Sequence, residues 1–122
     1  MQQTLVIARV ADTGGVGENL IVRWTAGGKV AVANGSNIAV TGVSLYDTPA
    51  GQTASIQVSG IARVKLGGTV NANDPITSDA NGQGVIANPA AGVNAYVIGY
   101  AMESGVAGDL IDVQLAPGRI QG

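Results

Sequence analysis

The sequence predicts an all-β domain, and three features of the chain support this prediction. Short strand-like apolar runs recur along the chain, glycine-rich turns separate them, and no stretch shows a sustained 3.6-residue apolar period. Glycine accounts for 19 of the 122 residues without the three-residue period of collagen, which is consistent with many turns. We therefore expect a compact antiparallel β-barrel or β-tulip-like domain with little or no helix.

Period-two alternation defines the individual strands. Apolar and polar residues alternate over 54–60 and over 111–115, so one face of each strand is expected to be buried and the other wet, as in an antiparallel sheet. Turn signals such as Asn34-Gly35 and Asn81-Gly82 separate the runs. The predicted strands lie near residues 5–10, 19–24, 29–33, 38–46, 53–66, 75–77, 84–87, 95–103 and 110–115.

The sequence also indicates an internal duplication. Ile7-Ala8-Arg9-Val10 recurs as Ile61-Ala62-Arg63-Val64, residues 26–30 resemble 81–85, and residues 42–58 resemble 99–115. Neither half is large enough to bury its own apolar face, so two halves packed together would close one core. We therefore predict one domain over residues 1–122, with pseudo-repeats at about 5–58 and 59–116 and an extended N-terminal arm at 1–4.

The composition excludes several classes of function. Charged residues make up only 11% of the chain, against roughly 25% in ordinary soluble domains, and such surfaces are common where the exterior packs against a partner or another copy. The net charge is −2 and the six basic residues are dispersed, which argues against nucleic-acid binding. No apolar run approaches the length of a membrane span, and residues 1–4 show no signal-peptide pattern.

Cysteine and histidine, two residue types that often act in catalysis and metal binding, are missing. The chain contains no cysteine and no histidine, so disulfides, thiolate chemistry, most zinc sites and the commonest general base are absent. Residues 79–84 resemble part of a calcium loop but lack its distal bidentate carboxylate, which favours a hairpin turn. Asp109 and Asp112 would lie on opposite faces of a strand and therefore do not form a carboxylate pair. We expect no enzymatic activity, no cofactor and no bound metal.

Several motifs resemble one protein family. The run VSGIARVKLGGTV at 58–70, followed by DPITSD at 74–79 and by Gly82, is similar to a strand, turn and hairpin of the cement (head decoration) proteins of tailed bacteriophages. The closing segments IGYAME at 98–103, AGD at 107–109 and VQL at 113–115 are also similar, so the resemblance covers roughly residues 40–118. It implies a structural protein that is made in the host cytoplasm, binds the major capsid protein on the outside of the head, and bridges neighbouring capsid subunits.

The resemblance also suggests how the chain assembles. Cement proteins commonly occupy local three-fold axes, so we expect a homotrimer, with a dimer as the alternative. Met1, Gln2, Gln3 and Thr4 are a candidate partner-binding arm that pairs along an open sheet edge, although a frayed tail is equally consistent with them. Trp24 is either an interface anchor or a large residue of the core. No nucleic-acid or membrane partner is expected.

Two other functions remain as alternatives. One is a binding module on the virion surface that recognises carbohydrate or a host surface. Such a module is expected to expose aromatic side chains, and the chain has only four: Trp24, Tyr46, Tyr96 and Tyr100. The other is a small barrel enzyme, which the absence of histidine and cysteine disfavours.

Overall fold

The structure, a computed structural model, describes residues 4–121 and confirms the all-β prediction. A single 3₁₀ turn at Ala26–Gly28 is the only helical element in that range, and no helix there is long and apolar enough to cross a membrane. The ten strands are β1 (Val6–Val10), β2 (Ile21–Trp24), β3 (Val30–Val32), β4 (Gly42–Ser44), β5 (Thr53–Gln57), β6 (Ile61–Lys65), β7 (Pro75–Ser78), β8 (Gly84–Ile86), β9 (Asn94–Ala101) and β10 (Leu110–Gln121).

The strands form two five-stranded antiparallel sheets. The first sheet has the order β1-β5-β4-β2-β3 and the second has the order β6-β10-β9-β7-β8. Ala11, just beyond β1, makes a parallel bridge with Val30, and Leu66, just beyond β6, makes one with Gly84. Each sheet therefore curls until its two outermost strands meet, and the compact domain consists of two such sheets instead of one continuous ladder.

The two sheets share one topology, because each strand of the first has a counterpart five strands later in the second. The register identifies the equivalent residues. Gln57 lies beside Val43 in the first sheet, and Gln114 lies beside Tyr100 in the second. Residues 42–58 therefore match residues 99–115 position for position, as the sequence predicted.

The other two predicted matches lie on equivalent strands but in the wrong register. Ile7 lies opposite Ile56 and Ala62 lies opposite Val113, so the counterpart of Ile7 is Ala62, not Ile61. A one-residue shift moves a side chain to the other face of its strand. The repeated residues therefore identify the equivalent strands correctly, but the aligned side chains lie on opposite faces of those strands.

The match of residues 26–30 with 81–85 is also shifted by one residue. Val30 lies opposite Trp24 and Gly84 lies opposite Ser78, which makes Val30 and Gly84 counterparts. The Asn81-Gly82 turn itself forms as predicted, because the Asp79 carboxylate accepts hydrogen bonds from the backbone of Asn81 and Gln83 at 2.8 and 3.0 Å.

The predicted bounds of several strands are wrong. The run 38–46 forms a strand only at Gly42–Ser44. The run 53–66 is two strands, because β5 ends at Gln57 and the chain turns through Gly60, whose φ is +89°. The Gln57 side-chain amide stabilises this turn by donating to the carbonyls of Ser59 and Ile61 at 3.0 and 2.7 Å. The last strand does not end at residue 115 but continues to Gln121, past a register irregularity.

The main core lies between the two sheets and is aliphatic. Ile21 and Val43 project into it from the first sheet, while the adjacent Val22 faces a second core inside that sheet. Strands β2 and β4 are therefore covered on both faces. Burying a side chain such as Ile21 contributes roughly 1.5–3 kcal/mol. The second sheet supplies most of the main core, through Ala62, Val64, Leu66, Val70, Ile76, Ile98, Ala101, Ile111, Val113 and Leu115.

Backbone hydrogen bonds join the sheets at the edge of this core. Ile21 N donates to Gly82 O at 2.8 Å, and Lys65 N donates to Asn19 O at 2.9 Å. Gly82 has a φ of +77°, and a Cβ at this position would clash with Cγ1 of Val32. Glycine is therefore required where the second sheet's hairpin meets the first sheet.

Candidate interaction surface

Many large apolar side chains are exposed on the described surface. They are distributed over strand edges, strand ends and loops, and the most exposed is Tyr46 at 64%. Scattered apolar residues need no special explanation, but several of these share a strand or a face. The set comprises Leu5, Val6, Val10, Trp24, Ile38, Tyr46, Ile61, Ile86, Val93, Tyr100, Met102, Val106 and Leu110.

Trp24 lies at the end of β2, on the surface. Its side chain is 39% exposed, so the interpretation that it fills the core is wrong. The guanidinium carbon of Arg9 on β1 lies 5.7 Å from the Trp24 ring centroid, which is within cation–π range. The pair therefore presents a flat aromatic ring and a fixed positive charge, two groups that are enriched at protein interfaces.

A hydrogen bond orders the chain next to Trp24. The Thr25 hydroxyl donates to Asp12 Oδ2 at 2.6 Å, and the Thr13 backbone N–H donates to Asp12 Oδ1 at 2.8 Å. The Thr25 bond and then the Thr13 bond hold the pKa of the Asp12 carboxyl below its ordinary value. These bonds tie the end of β2 to the segment that follows β1.

Only part of the predicted N-terminal arm can be placed. Met1, Gln2 and Gln3 lie outside the described residues, and Thr4 is exposed ahead of β1. From Leu5 onward the chain is fixed by backbone hydrogen bonds, since Leu5 N donates to the Ser59 hydroxyl at 3.0 Å and Leu5 O accepts from Val58 N at 2.9 Å. The arm therefore leads directly into an edge strand of the first sheet.

The face of β1 that points away from the core of the first sheet is apolar. Val6, Ala8 and Val10 alternate along this face and are all exposed. An exposed apolar edge strand can pair with another chain and is normally protected by charge. Because β1 carries no charge on this face, the face is a candidate for contact with a partner.

The equivalent face of β6 is charged. Arg63 and Lys65 occupy the positions that correspond to Ala8 and Val10. Arg63 Nε lies 3.6 Å from Asp112 Oδ1, and both side chains are exposed, so this ion pair contributes little to stability. The two edge strands therefore differ in the way expected if one meets a partner and the other meets water.

Tyr100 is an interaction candidate that sequence reasoning did not single out as a site. It lies on β9 between Gln114 and Pro75 and is 43% exposed. No sequence pattern marks it, because Gly99 and Ala101 on either side are small residues and not polar ones; only the structure shows that the tyrosine alone of the three is exposed. Arg9 is exposed, and its contact with the Trp24 ring joins residues that are far apart in the sequence.

Two small cavities lie on the described surface. One, of about 220 Å³, is lined by Thr77, whose buried hydroxyl has no hydrogen-bond partner in the described part of the chain. The other, of about 280 Å³, lies between the sheets and is lined by Glu18, Asn19 and Lys65. Across residues 4–121, no group of three acidic, histidine or cysteine side chains is arranged to hold a metal. The most extensive feature of the described surface is its set of exposed apolar side chains.

Comparisons with known proteins agree with this geometry. A family profile described as phage cement protein matches residues 14–115. The crystal structure of the N base of the bacteriophage phi29 head fiber gp8.5 superimposes with a TM-score of 0.71 at 16% sequence identity, covering 98% of this chain and 100% of that chain. At this identity the likeness shows a shared fold. No curated protein sequence is significantly similar to the chain.

Proposed function

The chain belongs to the phage cement protein family, and we propose that it binds the outer surface of a phage head and bridges neighbouring capsid subunits. As a member of this family, it is a structural protein of the phage head. The observation that carries the proposal is the apolar, uncharged outer face of β1, since a monomer exposed only to water would protect this strand. The major capsid protein is the proposed partner.

The proposed mechanism is passive and requires no catalytic residue or cofactor. A subunit bound across a junction between capsid proteins adds buried surface, so expansion of the shell must break additional contacts. Each copy contributes little, but the contribution is multiplied because each copy engages more than one capsid subunit at once. The fold suits this role, because β2 and β4 are covered on both faces and the contact surface rests on a rigid sheet.

We further propose that the protein acts as a homotrimer, with a dimer as the alternative. Support comes from the low charge of the chain and from the exposed Trp24 and Tyr100, because tryptophan and tyrosine are enriched at interfaces. The N-terminal arm, Met1 to Thr4, is proposed to reach the capsid or a neighbouring subunit, because it leads into the exposed edge at β1.

A second candidate function is recognition of carbohydrate or a host surface from the virion. The exposed rings of Trp24, Tyr46 and Tyr100 favour it, since sugars stack on such rings. The contact of Arg9 with the Trp24 ring argues against it, because the guanidinium takes up part of the surface that a sugar would use. A glycan-binding screen separates the two functions: saturable binding to a defined glycan would favour the second.

The main proposal is tested by adding purified protein to heads of its own phage that lack it. We expect saturable binding in a co-sedimentation assay, bound copies over junctions between capsid subunits by cryo-EM, and heads that resist heat or osmotic shock better than bare heads. The double variant Val6→Lys/Ala8→Lys should bind weakly, whereas Val93→Lys, which changes an exposed valine outside the first sheet, should bind like the original. Normal binding by the double variant would show that β1 is not the contact.

A further inference from the structure

The contact between the two sheets is asymmetric. The first sheet packs its outer face, which carries Ile21 and Val43, against the inner face of the second sheet, which carries Ala62 and Val64. Because both sheets have the same topology, each possesses both kinds of face. Two faces are therefore left without a partner sheet within the chain. One is the outer face of the second sheet, around Tyr100. The other is the exposed edge of the first sheet's inner face, around Arg9 and Trp24, here called the inner rim.

The unpartnered outer face is partly apolar. Val43 is fully buried between the sheets, whereas its counterpart Tyr100 is 43% exposed. Gln57 is likewise buried, whereas its counterpart Gln114 is exposed. Pro75, the counterpart of Ile21, is half-buried beside Tyr100. Tyr100 thus occupies the position that corresponds to Val43, the residue through which the first sheet contacts the second.

The unpartnered inner rim shows the same relationship. Val64 and Ser78 of the second sheet are buried, and Val64 lies in the core that both sheets share. Their counterparts are Arg9 and Trp24, which are exposed and contact each other. Tryptophan, tyrosine and arginine dominate the binding energy of protein interfaces. Both unpartnered faces therefore carry exposed residues of the types enriched at interfaces, and the counterparts of these residues in the other sheet are buried.

We propose that a second copy of the chain repeats the internal contact: the outer face of its second sheet, around Tyr100, docks on the inner rim of the first sheet, around Arg9 and Trp24. This inference deepens the self-association proposed above by naming its two faces. The contact is heterologous, because two different faces meet. A trimer built this way is a closed ring, whereas a two-fold dimer would have to use one face twice.

The backbone supports this register. Asn19, whose carbonyl accepts from Lys65 N at 2.9 Å, has a positive φ of 59°, and its counterpart Asn73 has a φ of 75°. Both asparagine N–H groups make equivalent bonds at 2.7 Å, to Ser44 O and to Ala101 O. Asn73 therefore presents the same carbonyl to a neighbouring copy, where the counterpart of Lys65 is the β1 residue Val10.

One hydrogen bond of the internal contact cannot be repeated between copies. Ile21 N donates to Gly82 O within the chain, but the counterpart of Ile21 is Pro75, which has no N–H. The contact between copies is thus expected to be weaker than the internal one and reversible. A reversible contact lets a ring assemble from monomers as they arrive at the head.

Because the chain has no cysteine, disulfide cross-linking can test this arrangement directly. Glu18 and Lys65 line the cavity between the sheets, and their counterparts are the exposed Ala72 and Val10. The variant Val10→Cys/Ala72→Cys should form covalent multimers under mild oxidation. Each single variant alone should stay monomeric on a non-reducing gel, and a mixture of the two single variants should give covalent dimers.

Two results would overturn the proposal. One is that either single variant dimerises alone as fast as the mixture, which would show that like faces meet. The other is that the double variant remains uncross-linked, both in a solution where light scattering shows oligomers and on decorated heads. Head binding by a protein that never self-associates would overturn this inference while leaving capsid bridging intact. Efficient cross-linking without head binding would do the reverse.

Side-chain truncation provides an independent measurement. Trp24→Ala and Tyr100→Ala should each raise the dissociation constant for self-association by about tenfold or more, as expected for hot-spot aromatics. Tyr46→Ala is the matched control, since Tyr46 is more exposed than either and its counterpart Glu103 is not buried in the internal contact. An equal effect of all three substitutions on sedimentation equilibrium would contradict the proposed faces.

Discussion

Ile21 and Pro75 occupy equivalent positions in the two sheets, and only Ile21 can donate a backbone hydrogen bond to the Gly82 turn. The two halves thus share a topology, but residues at matching positions have different surroundings. Ile21 is fully buried between the sheets, whereas Pro75 borders the open outer face of the second sheet.

Gly82→Ala should destabilise the protein more than Gly108→Ala. Both glycines have positive φ, 77° and 92°, so both substitutions impose backbone strain of roughly 1 kcal/mol or more. Only at Gly82 does the added Cβ also clash with Val32 across the contact between the sheets. Urea denaturation should show the larger loss of unfolding free energy for Gly82→Ala, and equal losses would contradict this account of the turn.

Ile21→Ala should cost roughly 2–5 kcal/mol of unfolding free energy, because it opens a cavity in the core that both sheets share. Ile86→Ala, at an isoleucine that is 43% exposed, should cost far less. Both variants should unfold in one transition, because Ile21 and Val43 of the first sheet complete the core that the second sheet forms. Two separate calorimetric transitions would show that the halves fold independently and that the predicted single domain is wrong.

Asp12 should make stability depend on pH in the acid range. Its carboxyl pKa is held below the ordinary value of 3.8, mainly by the Thr25 hydroxyl and then by the Thr13 N–H. Because the folded-state pKa is the lower one, the stabilisation is present above 3.8 and is lost as the pH falls through the folded value. NMR titration should show a smaller lowering in Thr25→Val, and an unchanged titration would exclude the hydroxyl as the cause.

The sequence was sufficient for the fold class because alternation and glycine turns are local signals. It also located the third repeat match, where Gly42 and Gly99 are counterparts. It misplaced the register of β1 and β6, because identical letters such as Ile7 and Ile61 fall on opposite faces. No local pattern shows that the first sheet is covered on both sides, since this depends on how the two halves pack.

The candidate interaction surface could be derived from the sequence only in part. Trp24 could be singled out because it is the only tryptophan, but its position could not be decided from composition. The apolar face of β1 became informative only by comparison with the charged face of β6. That comparison requires the structural register, in which Val10 corresponds to Lys65.

The N-terminal arm provides the last prediction. Deleting residues 1–4 should weaken head binding and leave folding intact, because the hydrogen bonds of Leu5 to Val58 and Ser59, which attach the start of β1 to the first sheet, are kept. Thr4, the described residue of the arm, is exposed and leads into β1, whose apolar face is the proposed contact. A strand added at this edge would gain main-chain hydrogen bonds, so several residues would contribute together.

The matched control replaces residues 2–4 by Gly-Ser-Gly, which keeps the length of the arm and removes its side chains. If the arm acts through main-chain pairing, this variant should bind heads better than the deletion, whereas binding through side chains would weaken both equally. Co-sedimentation with heads measures the affinity, and urea denaturation confirms that each variant is folded. Unchanged affinity in the deletion would identify the arm as a frayed tail and confine the contact to β1 and its neighbours.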